Sequence, residues 1–299
     1  MVQNETNIET AKKVGLNAKI SDYITLTKFR LAALVVFSAA SGYFMAPAPF
    51  DWEVFLYLII GGFLVTGASN GLNQVLEKDL DKQMARTKDR PLPALRMNKL
   101  EATLLSSFFG LVGLYLLWMI NASACMLGFL ALFSYVAIYT PLKTKTPIAV
   151  LVGAFPGSVP PLLGYVAASN SFGLEPGILF LVQFFWQFPH FWAIAWKAHD
   201  DYSKAGFKML PLNEGRGRRN AWLILLFTMF MLPVSLLPWA FEMTHGLITI
   251  PVASIATLIF IVPAFKLFRT NDMKEATKLM FVSFLYLPIV QIAYILDKI

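Results

Sequence analysis

Nine apolar stretches, each close to 20 residues long, run through this chain and are separated by polar segments. A helix needs about 20 consecutive apolar residues to cross the hydrocarbon core of a bilayer. Lipid offers no partners for backbone polar groups, so helices are the natural way for such stretches to cross. We therefore predict an all-α, polytopic membrane protein whose nine helices form a bundle around a central cavity, at residues 26–46, 54–76, 101–120, 123–141, 147–168, 177–197, 221–241, 247–267 and 278–296.

The basic residues are distributed asymmetrically between the two sides of this predicted bundle. Every Lys and Arg except Lys298 falls in the N-terminal segment, in alternate connecting loops or at the helix ends that border them. Cytoplasmic loops carry an excess of Lys and Arg, which predicts a cytoplasmic N-terminus and a C-terminus on the opposite side. The early residues lack the apolar core of a signal peptide and the early arginines of a mitochondrial transit peptide. We expect one intramembrane domain over 1–299, with 1–24 as a polar cytoplasmic tail, in a prokaryotic inner membrane.

Composition excludes several other classes of protein. Only 14% of the residues are charged, whereas soluble domains carry about 25%. The formal net charge of +7 is spread over the loops and forms no single basic patch, so we expect no nucleic-acid partner. Cys125 is the only cysteine, which excludes an internal disulfide and a cysteine-cluster metal site. The lipid bilayer is the partner that this composition predicts, and any bound metal needs oxygen ligands.

Carboxylates are sparse in the chain but gather at the cytoplasmic ends of two predicted helices. In the first segment Asn73, Glu77 and Asp81 recur every four residues, so on a helix they form one stripe. Such oxygen ligands suit Mg²⁺, which usually keeps waters and substrate phosphates in its shell, and Arg86 and Arg90 are spaced to bind phosphate oxygens. The competing interpretation is a solvated helix end beside ordinary cytoplasmic arginines. We favour a metal site, because polar groups at membrane depth are costly without partners.

Several motifs carry a resemblance to a known family. Asn73-x-x-x-Glu77-x-x-x-Asp81, followed by Arg86-Thr-x-x-Arg90-Pro-Leu-Pro, resembles the first signature of the intramembrane UbiA-type prenyltransferases, and Tyr139-x-x-x-Lys143 is similar to their Tyr-x-x-x-Lys element. Three further segments resemble the branch that farnesylates haem: Trp186-Gln-Phe-Pro-His190-Phe-Trp192, Asp201-Tyr-x-x-Ala-Gly206 and Pro156-Gly-x-x-Pro-Pro161. The second family signature, usually Asp-x-x-x-Asp, reads Lys197-x-x-x-Asp201, and this departure fits the haem branch.

The resemblance implies a reaction and roles for the matching residues. Farnesyl diphosphate is expected to ionise and to be joined to a vinyl group of haem B, with water added, giving haem O for a haem A synthase or a terminal oxidase. Lys143, Lys197, Arg86 and Arg90 are expected to bind the diphosphate, with Tyr139 beside them. The implied Mg²⁺ ligands are Asn73, Glu77, Asp81 and Asp201, with Asp200 substituting for the missing carboxylate.

A histidine inside the sixth predicted span is the candidate haem contact. Lys197 and Asp201 follow His190 by seven and eleven residues, which places them on nearly the same face if the helix is continuous. His190 is thus expected to face the diphosphate cavity and to ligate iron, accept a proton or bind a propionate. Trp186 is expected to form part of a porphyrin or isoprenoid wall. The alternatives are a histidine hydrogen-bonded within the bundle and a tryptophan in the core or facing lipid.

Two other functions fit the same general pattern. One is a polyprenyltransferase that acts on an aromatic quinone precursor, which the Trp-Gln-x-Pro-His segment and Lys197 disfavour. The other is a transporter or a non-catalytic haem-handling protein, since broken helices and intramembrane polar groups also occur in transporters. The polar groups of this chain gather at one membrane face and not at the midplane, which favours the enzyme.

Overall fold

The computed structural model describes residues 16–299, and within that range the chain is almost entirely helical, with one isolated β-bridge between Thr244 and Lys298. A π-helical turn, Ser134–Tyr139, separates two of the helices. The helices are α1 (Leu16–Thr27), α2 (Phe29–Met45), α3 (Trp52–Leu76), α4 (Lys78–Asp81), α5 (Lys99–Ile120), α6 (Ala122–Phe133), α7 (Thr140–Leu142), α8 (Ala149–Ser169), α9 (Leu174–Lys197), α10 (His199–Lys204), α11 (Arg218–Ser235), α12 (Leu237–Ala240), α13 (Thr249–Thr270) and α14 (Met273–Leu296).

The prediction of an all-helical membrane bundle is confirmed, with a difference at its beginning. Among the described residues, eight helical spans are long and apolar enough to cross a membrane, and a ninth is obtained if α1 and α2 are counted as one span bent by 47°. The bend lies at Lys28, whose φ of 48° is left-handed and interrupts the helix. Residues 16–24, predicted as part of a polar tail, instead belong to α1. The rest of that predicted tail, 1–15, lies outside the described residues.

Several helices begin where the sequence supplies a capping side chain. The carboxylate of Asp51 accepts hydrogen bonds from the backbone N–H groups of Glu53 (2.8 Å) and Val54 (3.1 Å) at the start of α3. Asn98, Asn121 and Asp272 cap α5, α6 and α14 in the same way. These side chains satisfy N–H groups that have no partner within the helix. They explain why the observed starts lie close to those expected from the apolar pattern.

The backbones of α2 and α8 are in direct contact at the centre of the bundle. Gly42 lies against the carbonyl of Pro161, and Gly164 lies against the carbonyl of Ala39. Because glycine has no Cβ, the two helices approach more closely than other residues allow, a form of packing that is frequent between membrane helices. The contact fixes α2 and α8 relative to each other, and α9 and α14 pack around this pair.

Replacing Gly164 with alanine is expected to destabilise the folded protein. The added Cβ would overlap backbone atoms of Ala39 and Tyr43, which cannot rotate away as a side chain can. Overpacking of this kind costs about 1–3 kcal/mol or more. Thermal unfolding of the purified protein in detergent measures the effect. Gly177→Ala is the matched control, because a Cβ there meets nothing within 4 Å; equal midpoints for the two variants would contradict the prediction.

A buried polar network compensates for the prolines of α8. Pro161 has no N–H, so the carbonyl of Gly157 lacks its helical donor. The side chain of Gln183 on α9 donates to that carbonyl (2.7 Å), and Gln291 on α14 donates to the Gln183 side chain (3.1 Å). Broken backbone at membrane depth is tolerated where protein groups satisfy it. The hydrogen bonds that compensate for Pro161 therefore connect α8, α9 and α14.

Candidate active site

The first acidic segment lies at the end of α3 and continues across a break in the helix. Helix α3 ends at Leu76, and Glu77 has φ of −93° and ψ of 7°. The backbone spacing is nevertheless kept, because Glu77 N–H donates to Asn73 O (2.9 Å) and Asp81 N–H donates to Glu77 O (2.8 Å). The side chains of Asn73, Glu77 and Asp81 are all buried. Asp79, which falls off this row, has a side chain that is 86% exposed and pairs with Lys82.

Each buried carboxylate of this row is paired with a basic side chain from elsewhere. Nζ of Lys143 lies 2.8 Å from Oε1 of Glu77. Nη1 of Arg90 donates to Oδ2 of Asp81 at 2.7 Å. Burial lowers the pKa of Lys143, but the Glu77 carboxylate, together with Tyr135 and Tyr202, raises it above its ordinary value. Lys143 is therefore a protonated ammonium at neutral pH, and the site holds alternating negative and positive charges that would be costly to bury singly.

Lys143 is positioned by aromatic rings and by the loop after α10. Its Nζ lies 4.6 Å from the centroid of the Tyr139 ring and 5.7 Å from that of Phe207. Its carbonyl accepts a hydrogen bond from the N–H of Lys208 (2.7 Å). The Tyr139 ring occupies space left by Gly153, where a Cβ would lie 2.6 Å from Tyr139 Cε2. Tyr139 and Lys143, predicted as neighbours, do lie together.

The oxygen ligands of the row suit a hard divalent cation. Oδ1 of Asp81 is buried and accepts no hydrogen bond, and the same is true of Oε1 of Gln74. Burial, together with the nearby Glu77 carboxylate, raises the pKa of Asp81 despite the Arg90 guanidinium, so the negative charge of Asp81 is not fully compensated. Among the described residues no three His, Cys, Asp or Glu side chains lie close enough to form a metal site by themselves. The donor set that fits Mg²⁺ thus consists of the Asn73 amide with the carboxylates that Lys143 and Arg90 now neutralise.

The second acidic segment differs from its prediction in geometry. Helix α9 ends at Lys197, Ala198 departs from helical geometry, and Asp201 lies on the separate helix α10. The continuous helix that this prediction assumed is interrupted at Ala198, although backbone hydrogen bonds cross the break, from Ala198 N–H to Ile194 O and from Tyr202 N–H to Ala198 O (both 2.9 Å).

Only part of the second segment reaches the first loop. Oδ2 of Asp201 accepts a hydrogen bond from the N–H of Arg86 (3.3 Å), which joins the two segments. The Asp200 side chain is 74% exposed and binds Arg216 at 3.1 Å. Lys197 is exposed, and its ammonium forms no ion pair within the described part of the chain. The structure thus brings Asp201 towards the candidate site, while Asp200 has a different partner and Lys197 faces outward.

The two arginines of the first loop lie on turns and bind different groups. Residues 82–97 contain turns and bends in place of the helix that would align Arg86 with Arg90. Nη2 of Arg86 donates to the hydroxyl of Tyr202 (3.0 Å), and its guanidinium lies 5.2 Å from the centre of that ring. Arg90 is held by Asp81. The two guanidinium groups therefore have different partners, Tyr202 and Asp81.

His190 and Trp186 face helix α14. Nδ1 of His190 lies 2.7 Å from Oγ of Ser283, and Trp186 stacks on the imidazole with ring centroids 4.5 Å apart. The Ser283 hydroxyl donates its single proton to Met280 O (2.6 Å), so Nδ1 of His190 must be the donor in the first contact. Neutral His190 is therefore protonated on Nδ1 and keeps a lone pair on Nε2. Hydrogen bonding within the bundle, the alternative weighed from the sequence, is confirmed, and it leaves one nitrogen for a ligand.

Several residues of the site were missed by sequence reasoning. Lys28, counted only as evidence of topology, lies within electrostatic range of Glu77, Asp81, Arg90 and Lys143. Tyr202 on α10 and Phe207 just after α10 lie next to motif residues that the sequence did single out. Thr140 accepts a hydrogen bond from the Asn73 amide. Contacts between the first helix pair and distant loops leave no periodic signal in the sequence.

Comparison with known proteins identifies the family to which this chain is similar. Residues 34–286 match the model of the UbiA prenyltransferase family. The chain is 49% identical over 285 residues to a curated protoheme IX farnesyltransferase of Christiangramia forsetii, covering 93% of this chain and 94% of that protein. It is 46% identical to the protoheme IX farnesyltransferase of Flavobacterium psychrophilum, with the same coverage of both chains.

Solved structures share the fold at low sequence identity. A structure described as digeranylgeranylglyceryl phosphate synthase superposes with a TM-score of 0.77 at 20% identity and covers 93% of this chain and 98% of that one. A UbiA homolog from Archaeoglobus fulgidus, bound to GPP and Mg²⁺, superposes with a TM-score of 0.68 at 16% identity and covers 92% of this chain and 99% of that one. The chain belongs to the UbiA prenyltransferase family.

Proposed function

We propose that this protein transfers the farnesyl group of farnesyl diphosphate to a vinyl group of haem B, forming haem O and releasing diphosphate. The observation that carries the proposal is the near-half identity to curated protoheme IX farnesyltransferases over 93% of the chain. The buried row of Asn73, Glu77 and Asp81 is consistent with it, because a diphosphate and its metal need oxygen ligands and cations together. Both are present at one end of this bundle.

Mg²⁺ is the cofactor that these residues would hold. The ligands would be Asn73, Glu77, Asp81 and Asp201, and the unpartnered buried oxygen of Asp81 supports this assignment. The Archaeoglobus fulgidus homolog of the same fold is bound to Mg²⁺ with a prenyl diphosphate. When bound, the metal would neutralise charge that develops on the departing diphosphate.

The basic side chains bind and neutralise the diphosphate. Lys143, Arg90 and Arg86 now interact with Glu77, Asp81 and Tyr202, and on substrate binding they exchange these partners for phosphate oxygens. The bond between farnesyl C1 and oxygen breaks, and its electron pair leaves with the diphosphate. Preorganised cations stabilise that developing charge. Tyr139 presents a ring face beside Lys143, and aromatic faces stabilise an allylic cation.

The acceptor reacts with the allylic carbon to complete the transfer. The terminal carbon of a haem vinyl group forms a bond to farnesyl C1, which leaves a cation on the vinyl carbon attached to the porphyrin. Water adds to that carbon and loses a proton, giving a hydroxyalkyl substituent. His190 is the proposed haem contact, through the Nε2 lone pair that its bond to Ser283 leaves free, and Trp186 stacks beside it.

The cellular setting follows from the charge asymmetry of the loops. We place the carboxylate row on the cytoplasmic face of a prokaryotic inner membrane, with the N-terminus on the same side. Farnesyl diphosphate has a charged head and an apolar tail, so a site at a membrane face suits both parts. A haem A synthase or a terminal oxidase is the proposed consumer of haem O.

Haem analysis in a host without its own haem O synthase tests this function. The full chain is expressed with verified membrane insertion, and extracted haem is analysed by mass spectrometry. We expect a haem species heavier by one farnesyl group plus one hydroxyl group, which disappears in Asp81→Asn. Membranes are assayed in parallel for prenylation of an aromatic quinone precursor. Unmodified haem together with a prenylated quinone precursor would overturn the proposal.

A further inference from the structure

Thr140 lies between Tyr139 and Lys143 but has no assigned role in the chemistry. Its side chain is buried, and its Oγ1 makes two hydrogen bonds. One joins Oγ1 to Nδ2 of Asn73 on α3, at 3.0 Å. The other joins it to the carbonyl of Tyr135, at 2.8 Å. Thr140 therefore connects the π-helical turn to the first residue of the carboxylate row.

The directions of these two bonds follow from the number of protons. A threonine hydroxyl has one proton, and a carbonyl can only accept, so the Thr140 proton is donated to Tyr135 O. Oγ1 must then accept in its contact with Asn73, which requires the amide to present its NH₂ group there. Amide orientation is ambiguous from shape alone and must be assigned from such networks. The network assigns Nδ2 of Asn73 to Thr140 and leaves Oδ1 for another partner.

The opposite end of the Asn73 amide is available for a ligand. Nothing in the described part of the chain donates a hydrogen bond to Oδ1 of Asn73, whereas its Nδ2 is bonded to Thr140. Glu77 and Asp81 are joined to Asn73 by consecutive backbone hydrogen bonds, so the three residues belong to one row. An amide oxygen beside two carboxylates is a neutral hard ligand of the kind that Mg²⁺ accepts.

The π-helical turn is what makes the double contact of Thr140 possible. In an α-helix the carbonyl of Tyr135 would accept from Tyr139, but here the backbone N–H of Thr140 donates to it instead. The hydroxyl of Thr140 is thereby brought to the same carbonyl. Pro141 follows and has no N–H to continue a regular ladder. Single π-helical turns within α-helices occur often at functional sites.

We propose that Thr140 is a positioning residue that orients the Asn73 amide so that its oxygen faces the divalent cation of the diphosphate site. The inference rests on the proposed function, because it presumes a metal bound by Asn73. It assigns a role to Thr140, which occupies a variable position within the Tyr139-x-x-x-Lys143 motif. Groups that orient metal ligands typically contribute about 10–100-fold to metal affinity.

Binding of Mn²⁺, used in place of Mg²⁺, tests the role of Thr140 without turnover. The purified full chain is titrated with Mn²⁺ in the presence of a non-cleavable thio analogue of farnesyl diphosphate, and free Mn²⁺ is measured by electron paramagnetic resonance. Thr140→Val keeps the shape but removes the hydroxyl, and we expect it to weaken Mn²⁺ binding at least about tenfold. Thr140→Ser keeps the hydroxyl and is expected to bind within about twofold of the unmodified protein.

Further variants separate positioning from a general effect on folding. If Thr140 acts only through Asn73, Thr140→Val combined with Asn73→Ala should bind Mn²⁺ no more weakly than Asn73→Ala alone. Thr140→Ala replaces Thr140→Val if the valine variant does not fold. Undiminished Mn²⁺ affinity in a folded variant without the hydroxyl overturns the inference. If the unmodified chain binds no Mn²⁺ with the analogue, the proposed metal site is wrong as well. If it binds Mn²⁺ but makes no haem O, only the assignment of haem B as the acceptor is wrong.

Discussion

Asp81→Asn is expected to reduce prenyl transfer at least about 10³-fold while the protein remains folded. Asp81 is buried, one of its oxygens has no hydrogen-bond partner, and the other holds Arg90 at 2.7 Å. A neutral amide removes the negative charge that would bind the divalent cation. A loss of about 4 kcal/mol in transition-state stabilisation corresponds to roughly a thousandfold in rate. Turnover is measured as haem O formed by purified protein in detergent or in lipid discs.

The folded state of this variant is expected to survive. Burial raises the pKa of the Asp81 carboxyl above its ordinary value, so the fold disfavours the charged form that the substitution removes. Asp79→Asn is the matched control, because that neighbouring carboxylate is exposed and paired only with Lys82. We expect the control to retain turnover. Turnover by Asp81→Asn within tenfold of the unmodified protein would rule out the metal-site assignment.

Lys143→Met is expected to lower turnover by about 10²–10³-fold, the range seen when one preorganised donor to a developing negative charge is removed. Nζ of Lys143 lies 2.8 Å from Oε1 of Glu77 and over the ring of Tyr139, so its position is fixed before the diphosphate binds. Burial lowers its pKa, but Glu77 with Tyr135 and Tyr202 raises it above its ordinary value, and it stays charged at neutral pH. Steady-state kinetics with varied farnesyl diphosphate measure the loss.

A double variant tests whether the unpaired Glu77 charge causes the loss of stability in Lys143→Met. Removing Lys143 alone leaves Glu77 as a buried charge without its partner, which typically costs about 3–5 kcal/mol of stability. Removing both charges, in Lys143→Met with Glu77→Gln, should restore much of the unfolding midpoint but none of the activity. Recovery of turnover along with stability would show that Lys143 serves folding and not catalysis.

Much of the fold was predictable because membrane helices leave strong local signals. An apolar stretch long enough to cross a bilayer is visible without any tertiary information, and caps such as Asp51 mark where a helix begins. The first helix pair was the exception. Helix α1 contains acidic and basic residues, as does any cytoplasmic tail, and the left-handed Lys28 that separates it from α2 has no sequence signature.

The candidate site was predictable where its residues are close in sequence. The four-residue spacing of Asn73, Glu77 and Asp81 survives the end of α3 because the backbone hydrogen bonds continue through the break. Backbone hydrogen bonds also cross the break at Ala198, but the side chains of the second segment do not meet at one site: His190 bonds Ser283, Lys197 is exposed and Asp201 bonds the backbone of Arg86. The spacing along a helix specifies which side chains share a face, but the helices packed against that face determine what each side chain contacts.

The sequence by itself determined the membrane-spanning class, the spacing of the first carboxylate row and the residues that carry the family resemblance. Each of these depends on chemistry repeated along the chain at short range. Only the tertiary structure decided which charges meet: Lys143 with Glu77, Arg90 with Asp81, Asp201 with the backbone of Arg86, and Asp200 with Arg216 instead of the site. Pairing between distant segments depends on how close helices approach, and here that is decided by contacts such as Gly42 with Pro161, where two backbones touch.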